Sequence, residues 1–132
     1  MKAISSGGGR GIQTGSLLKC IDNSGAHVLK VISVRGFKGI RKARPTAGIA
    51  DPVMCRVKRG TEKVRNQVFK AVVVRQKKEY RRASGMRVQF EDNAAVLVGD
   101  NFEPTGTLVK GPVAREVVER FKIIGKVANV IV

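Results

Sequence analysis

Lysine and arginine are the residues here whose type and spacing can do chemistry, and the chemistry is binding of a polyanion. The chain has 132 residues, with 26 Lys and Arg against 10 Asp and Glu, for a formal charge of +16. That excess repels itself unless a partner neutralises it. Residues 1–89 hold 21 basic and 4 acidic side chains, whereas residues 90–132 hold 5 and 6. Within the basic part, 16 of the 26 cations fall in three short segments, Arg35–Pro45, Arg56–Arg65 and Arg75–Arg87. A merely solvated face would intersperse acids among the bases, and these segments hold almost none.

Other chemistries find little material. His27 is the only histidine, so a His-based triad has little scope, and no DxD or DxE pattern suggests a metal. Cys20 and Cys55 lack CxxC spacing and read as two reduced thiols packed as small hydrophobes. Gly9 and Gly11 begin a dinucleotide-type pattern that Thr14 breaks, and no Lys-Ser or Lys-Thr pair completes a Walker loop. The reading is no enzyme, no cofactor and no metal.

Each basic segment has its own geometry. Arg35, Lys38, Arg41, Lys42 and Arg44 lie in a stretch without strand signal that ends near Ala50. A loop that long in a small domain is usually functional or disordered, and its glycines permit close approach to a sugar–phosphate backbone. Phe37 within it either stacks on a base or anchors the loop as a hydrophobic foot. Arg56, Lys58 and Arg59 form the outer face of an alternating strand and the turn after it. Arg75, Lys77, Lys78, Arg81, Arg82 and Arg87 lie on two strands joined at Ser84-Gly85 and extended beyond the body as a ribbon, with Tyr80 available for stacking or cross-strand packing. A projecting basic ribbon suits RNA grooves and phosphates. About 8 phosphate contacts would give log affinity a slope of roughly −6 to −7 against log salt. Charge and shape without a base code favour structured RNA over sequence-specific DNA.

The elements that must position these cations are short and β-rich. A single domain of this length can bury a real core, and the low aromatic content, 5%, makes that core aliphatic. Strands are expected over Leu17–Ile21, His27–Val34, Pro52–Arg59, Val68–Arg75 and Ala94–Val98, with Asp22-Asn23-Ser24-Gly25 as a turn. Met86–Phe90 would pair with Ala94–Val98 as a hairpin about Glu91-Asp92-Asn93. Five or six such strands imply a small closed barrel. After Gly111-Pro112 a helix is expected over Val113–Phe121, with Val113, Val117, Val118 and Phe121 as its apolar stripe and Glu116 and Glu119 on the other side. Val127–Val132 suits helix or strand equally.

Met1–Gly15 reads as a flexible glycine-rich leader before a single domain over residues 16–132. Its start lacks the apolar stretch of a signal peptide, and no apolar run approaches the roughly 20 residues of a membrane span. A cytoplasmic protein is expected.

One signature runs through the middle of the chain. Ala71-Val72-Val73-Val74, Ser84-Gly85 and Phe90-Glu91-Asp92-Asn93-Ala94-Ala95-Val96 resemble the universal ribosomal L-fourteen family of the large subunit. Asp22-Asn23-Ser24-Gly25-Ala26 and Gly111-Pro112-Val113-Ala114-Arg115-Glu116 agree with it. The resemblance covers residues 14–132. Phe90–Asn93 and the Val73–Lys78 run look like the archaeal and eukaryotic branch, and the leader departs from the pattern. The resemblance implies a five-stranded barrel with a projecting ribbon and a small helical C-terminal part. It implies binding to large-subunit ribosomal RNA near the subunit interface, with contacts to ribosomal proteins L-three and L-twenty-four-e and a bridge to small-subunit RNA. It also implies a docking site for the anti-association initiation factor, carried here onto Gly111, Pro112, Arg115, Glu116, Glu119 and Arg120. A free small-barrel RNA-binding protein, such as a translation factor or RNA chaperone, is the alternative.

Overall fold

The computed structural model describes residues 10–132. Eleven strands and two helices run in the order β1 Ile12–Gln13, β2 Leu17–Cys20, β3 Ala26–Val34, β4 Thr46–Ala47, β5 Pro52–Gly60, β6 Val68–Arg75, β7 Tyr80–Arg81, β8 Arg87–Val88, β9 Ala94–Val98, β10 Val109–Val113, α1 Arg115–Arg120, α2 Lys122–Val127 and β11 Ala128–Ile131. Strands β2, β3, β5, β6 and β9 close into a barrel in that order. The ladders are antiparallel except where β9 meets β2 in parallel register, Lys19 beside Ala94 and Cys20 beside Ala95. The mainly β, five-stranded expectation is met.

Two cores explain the two kinds of strand. Inside the barrel, Leu18, Leu29, Val31, Val53, Cys55, Val57, Ala71, Val73 and Leu97 pack together. A second cluster lies outside it: Val72, Val74, Val96 and Val98 from the outer faces of β6 and β9 meet Val109, Val113, Val117 and Ile124 of the C-terminal part. Strands β6 and β9 are buried on both faces, which is why Val72-Val73-Val74 is apolar without alternation. Strands β3 and β5 have only one covered face. There buried Leu29, Val31, Cys55 and Val57 alternate with exposed Lys30, Arg56 and Lys58.

The Asp22–Gly25 turn is a staple. Asp22 Oδ1 accepts from the Ser24 hydroxyl at 2.5 Å and from the Cys20 thiol at 2.9 Å, while Oδ2 accepts the Leu97 N–H at 3.0 Å. A buried carboxylate so used ties the end of β2 to β9.

Three expectations need correction, and one open choice is resolved. Residues 86–98 do not form a hairpin: β8 pairs with β7, and β9 pairs with β6 and β2. The helix starts at Arg115 because Val113 is still in β10. Of the leader, residues 1–9 lie outside the described residues, whereas Ile12 is fully buried and Ile12–Gln13 pairs with Thr46–Ala47. The stretch after Arg35 is therefore pinned at β4. The C-terminal segment resolves into β11, which runs parallel to β10 through Pro112–Val130 and Val113–Ile131.

Candidate nucleic-acid interface

In two of the three basic segments every cation reaches solvent. In the loop after β3, Lys38, Arg41, Lys42 and Arg44 are exposed with Arg35. A turn closed by the Ala43 N–H on the Ile40 carbonyl at 3.0 Å shapes the loop, and Lys42 sits in the left-handed region at φ 72°. Phe37 is half-buried and folds against Gly39, where a Cβ would run into its ring. That contact lies within the loop, and Phe37 belongs to neither hydrophobic core, so the expected anchoring foot is not what it forms. On β5, Arg56, Lys58 and Arg59 all point outward, and Asn66 Oδ1 accepts from Arg56 at 2.8 Å, which aims the guanidinium along the surface.

Register shows what sequence cannot. Lys30 of β3 stands directly opposite Arg56 of β5, and Arg81 of β7 directly opposite Arg87 of β8. All four are exposed. Like charges directly opposed across an antiparallel pair destabilise a sheet. Lys30 was absent from the sequence-level candidates, because only pairing with a strand some 26 residues away gives it significance.

The third segment divides. Lys77, Lys78, Arg81 and Arg87 are exposed, with Arg87 also paired to Glu79 at 2.6 Å. Arg75 and Arg82 are not, and their expected role on an RNA face needs correction. Arg75 is buried: its Nε lies 3.0 Å from Asp92 Oδ1, its Nη1 donates to the Pro112 carbonyl at 3.4 Å, and a Cβ on Gly111 (φ +78°) would strike it. Arg82 Nε donates to Glu116 Oε1 at 2.7 Å, and its Nη2 to the Val132 carbonyl at 2.7 Å. The Tyr80 hydroxyl donates to Glu116 Oε2 at 2.9 Å. The ribbon lies outside the barrel yet is bolted to α1 through this buried triad.

Tyr80 is consequently neither a stacking platform nor a simple cross-strand contact. Burial, opposed by the Arg82 hydrogen bond and assisted by Glu116, pushes its hydroxyl up to about 12. Burial also works against the Arg82 charge, and its bonds to Glu116 and Tyr80 overcome that and raise its pKa.

The face expected to meet proteins is likewise thinned. Arg115 and Glu119 are exposed on α1, Gly111 is exposed and Pro112 half-buried. Glu116 is buried, contrary to its expected outward position, because it neutralises Arg82. Arg120 turns inward, its Nη1 donating to the Ala50 carbonyl at 3.0 Å and to Asp51 Oδ1 at 3.4 Å.

No group of three or more His, Cys, Asp or Glu side chains is placed to hold an ion among the described residues. Burial, with the Asp22 carboxylate adding to it, pushes the Cys20 thiol up to about 12, and burial alone does the same to Cys55. Neither is a nucleophile near neutrality. No helix among the described residues is long and apolar enough to cross a membrane.

Comparison with known proteins agrees with the signature. The large ribosomal subunit protein uL14 of Methanothrix thermoacetophila is 53% identical over 123 residues, 93% of each chain. That of Halorubrum lacusprofundi is 53% identical over 132 residues, and that of Haloarcula marismortui 49% over 132 residues, each covering 100% of both chains. All three relatives are archaeal, within the branch that Phe90–Asn93 suggested. The model of the family described as ribosomal protein L14p/L23e matches residues 11–132, and the chain belongs to that family.

Proposed function

We propose that this chain binds large-subunit ribosomal RNA through its exposed loop, the outer face of β3 and β5, and the β7–β8 ribbon. Family membership makes it a structural constituent of the large ribosomal subunit in the cytoplasm, a ribonucleoprotein component of translation and no known class of enzyme. One observation carries the RNA reading: Lys30 and Arg56 are held directly opposite each other on exposed strands, as are Arg81 and Arg87, the latter with Glu79 as its acidic partner. A polyanion in the assembled particle turns that repulsion into attraction, since each phosphate neutralises a cation and releases counterions. The RNA face comprises Arg35, Lys38, Arg41, Lys42, Arg44, Arg56, Lys58, Arg59, Lys77, Lys78, Arg81 and Arg87, with Lys30 added. Arg75 and Arg82 hold that face in shape from behind.

The near-neutral C-terminal part is the protein side. Gly111, Pro112, Arg115 and Glu119 offer one exposed cation and one exposed anion on a short helix, a surface suited to a protein neighbour. By family resemblance the neighbours are ribosomal proteins L-three and L-twenty-four-e and the anti-association initiation factor, and the basic surface also reaches small-subunit RNA at a bridge.

The test is assembly. The wild-type chain should sediment with the large subunit through a high-salt wash. A Lys58→Glu/Arg81→Glu chain, altered only at exposed positions, should fold and yet be washed off. Retention of the double variant at wild-type level would refute the proposed RNA face.

A further inference from the structure

We propose that the pocket between the Arg35 loop, β4 and α1 is a preformed seat for one phosphate of the RNA backbone, held by Arg10, Arg35 and Arg120. The cavity measures about 180 Å³, room for several waters or a single phosphate group. Its lining brings three arginines and one acid, Asp51, together with Thr46 and Phe37. Such an excess of positive charge in one concavity focuses the field on a single anion.

Two of the arginines are mounted rather than loose. The Arg35 guanidinium lies 5.6 Å from the centroid of the Phe102 ring, and that of Arg120 lies 5.2 Å from the centroid of the Phe121 ring. The two rings are themselves stacked with centroids 4.9 Å apart. One aromatic pair therefore carries both cations, each by a cation–π contact. Asp51 adjusts them. Its Oδ2 accepts the Gly48 N–H at 2.8 Å and lies 3.9 Å from Arg10 Nε, while its Oδ1 accepts from Arg120 at 3.4 Å. With its carboxylate only 9% exposed, Asp51 cancels one charge of the three and orients the rest. Planar guanidiniums fixed in advance lose little freedom on meeting a tetrahedral anion, which makes them better phosphate ligands than mobile lysines.

A phosphate fits better than a carboxylate from a protein neighbour because the lining residues Arg35, Gly36 and Phe37 begin the loop that carries exposed Lys38, Arg41, Lys42 and Arg44, a run without an acid that suits further phosphates of the same strand. The inference rests on the RNA reading of that loop. It moves Arg120 from the protein side of α1 to the nucleic-acid side and leaves Arg115 and Glu119 outward.

Two measurements on the full chain test it. In thermal unfolding at constant ionic strength, inorganic phosphate should raise Tm relative to chloride. Arg35→Gln, at an exposed residue whose guanidinium rests on the Phe102 ring, should abolish that rise. Arg120→Lys, which keeps the charge and loses the fork, should weaken it, and Lys126→Gln, remote on α2, should leave it intact. In salt titrations with large-subunit ribosomal RNA, Arg35→Gln should reduce the slope of log affinity against log salt by about one. Absence of a phosphate effect on the wild type, or its survival in Arg35→Gln, overturns the proposal. Loss of the phosphate response with unchanged RNA binding overturns it too, while leaving the wider RNA reading in place. If both pocket variants instead lose affinity for a poly-glutamate peptide and keep RNA, the pocket takes a carboxylate and the assignment is wrong. Failure of the wild type itself to bind the RNA would sink the reading beneath it.

Discussion

Replacing Lys30 by Glu should move stability and RNA binding in opposite directions. In the free protein Lys30 faces Arg56 across the β3–β5 ladder, both side chains exposed, so the substitution exchanges a repulsion for an attraction. Cross-strand charge pairs contribute roughly 0.2–1 kcal/mol, and removing a repulsive pair while creating an attractive one should yield about 0.5–1 kcal/mol at low salt. At about 2.1 cal/mol/K per residue, a 132-residue domain unfolds with an entropy near 0.28 kcal/mol/K, so Tm should rise by about 2–4 °C. Screening contracts the Debye length from ~10 Å at 0.1 M salt to ~3 Å at 1 M, and most of the gain should vanish there. On ribosomal RNA the same change removes one cation and adds an anion. The salt slope should fall in magnitude by about 0.9, and affinity near 0.1 M salt should drop about tenfold. Differential scanning calorimetry at the two salt concentrations and anisotropy titrations with a large-subunit RNA fragment read both effects. A Tm that stays level or falls at low salt would show that the opposed cations cost the free protein nothing. Unchanged RNA affinity would remove the β3–β5 face from the interface.

The triad behind the ribbon should be costly to break. Glu116→Gln removes the side-chain carboxylate that holds Arg82, whose side chain is 12% exposed, and should destabilise the chain by about 3 kcal/mol in urea unfolding, where Tyr80→Phe costs about 1; equal, small losses for the two would mean that the pair is solvated. The raised thiols give a pH signature. Cys20 and Cys55 titrate near 12 when folded against an ordinary 9.0, and Tyr80 near 12 against 10.0, so above pH 9 the unfolded chain holds fewer protons than the folded one. Stability should therefore decline as pH rises from about 9 toward 12, by up to ~1.4 kcal/mol per pH unit for each group, and both thiols should resist iodoacetamide at pH 8 until the protein is unfolded. Stability that holds level across that range, or rapid alkylation of the native chain, would contradict the burial.

Strand periodicity carried most of the barrel. The alternation of Val53, Cys55 and Val57 with Met54, Arg56 and Lys58 is visible in the sequence because one face of β5 is covered and the other is not. The unalternating valines of β6 were equally visible as β, but their meaning, a second core outside the barrel, depends on a C-terminal part more than 30 residues away. The hairpin expected over 86–98 failed for the same reason. The Glu91-Asp92-Asn93 turn is real turn chemistry, but Asp92 is engaged by Arg75 and Asn93 Oδ1 by the Lys77 N–H, and the strand that follows is claimed by β6 and β2. Local signals locate strands, and nonlocal partners decide their pairing.

Charge was the least transparent quantity, because a cation's function depends on whether an acid reaches it. Arg75, Arg82 and Arg120 look in sequence like their exposed neighbours. Their carboxylates, Asp92, Glu116 and Asp51, lie 17, 34 and 69 residues away along the chain. Those three acids are spent on three arginines, so each pair cancels and the excess of +16 stays with the remaining cations. The C-terminal part therefore does two things at once. It covers β6 and β9 with apolar side chains, and its Glu116 and Arg120 reach across to fix the ribbon and the loop pocket. An RNA face built from a ribbon and a loop would otherwise lose much of its affinity to the entropy of ordering them. On the proposed RNA face, fixing both from the C-terminal side would make that third of the chain a determinant of RNA binding through Glu116 and Arg120.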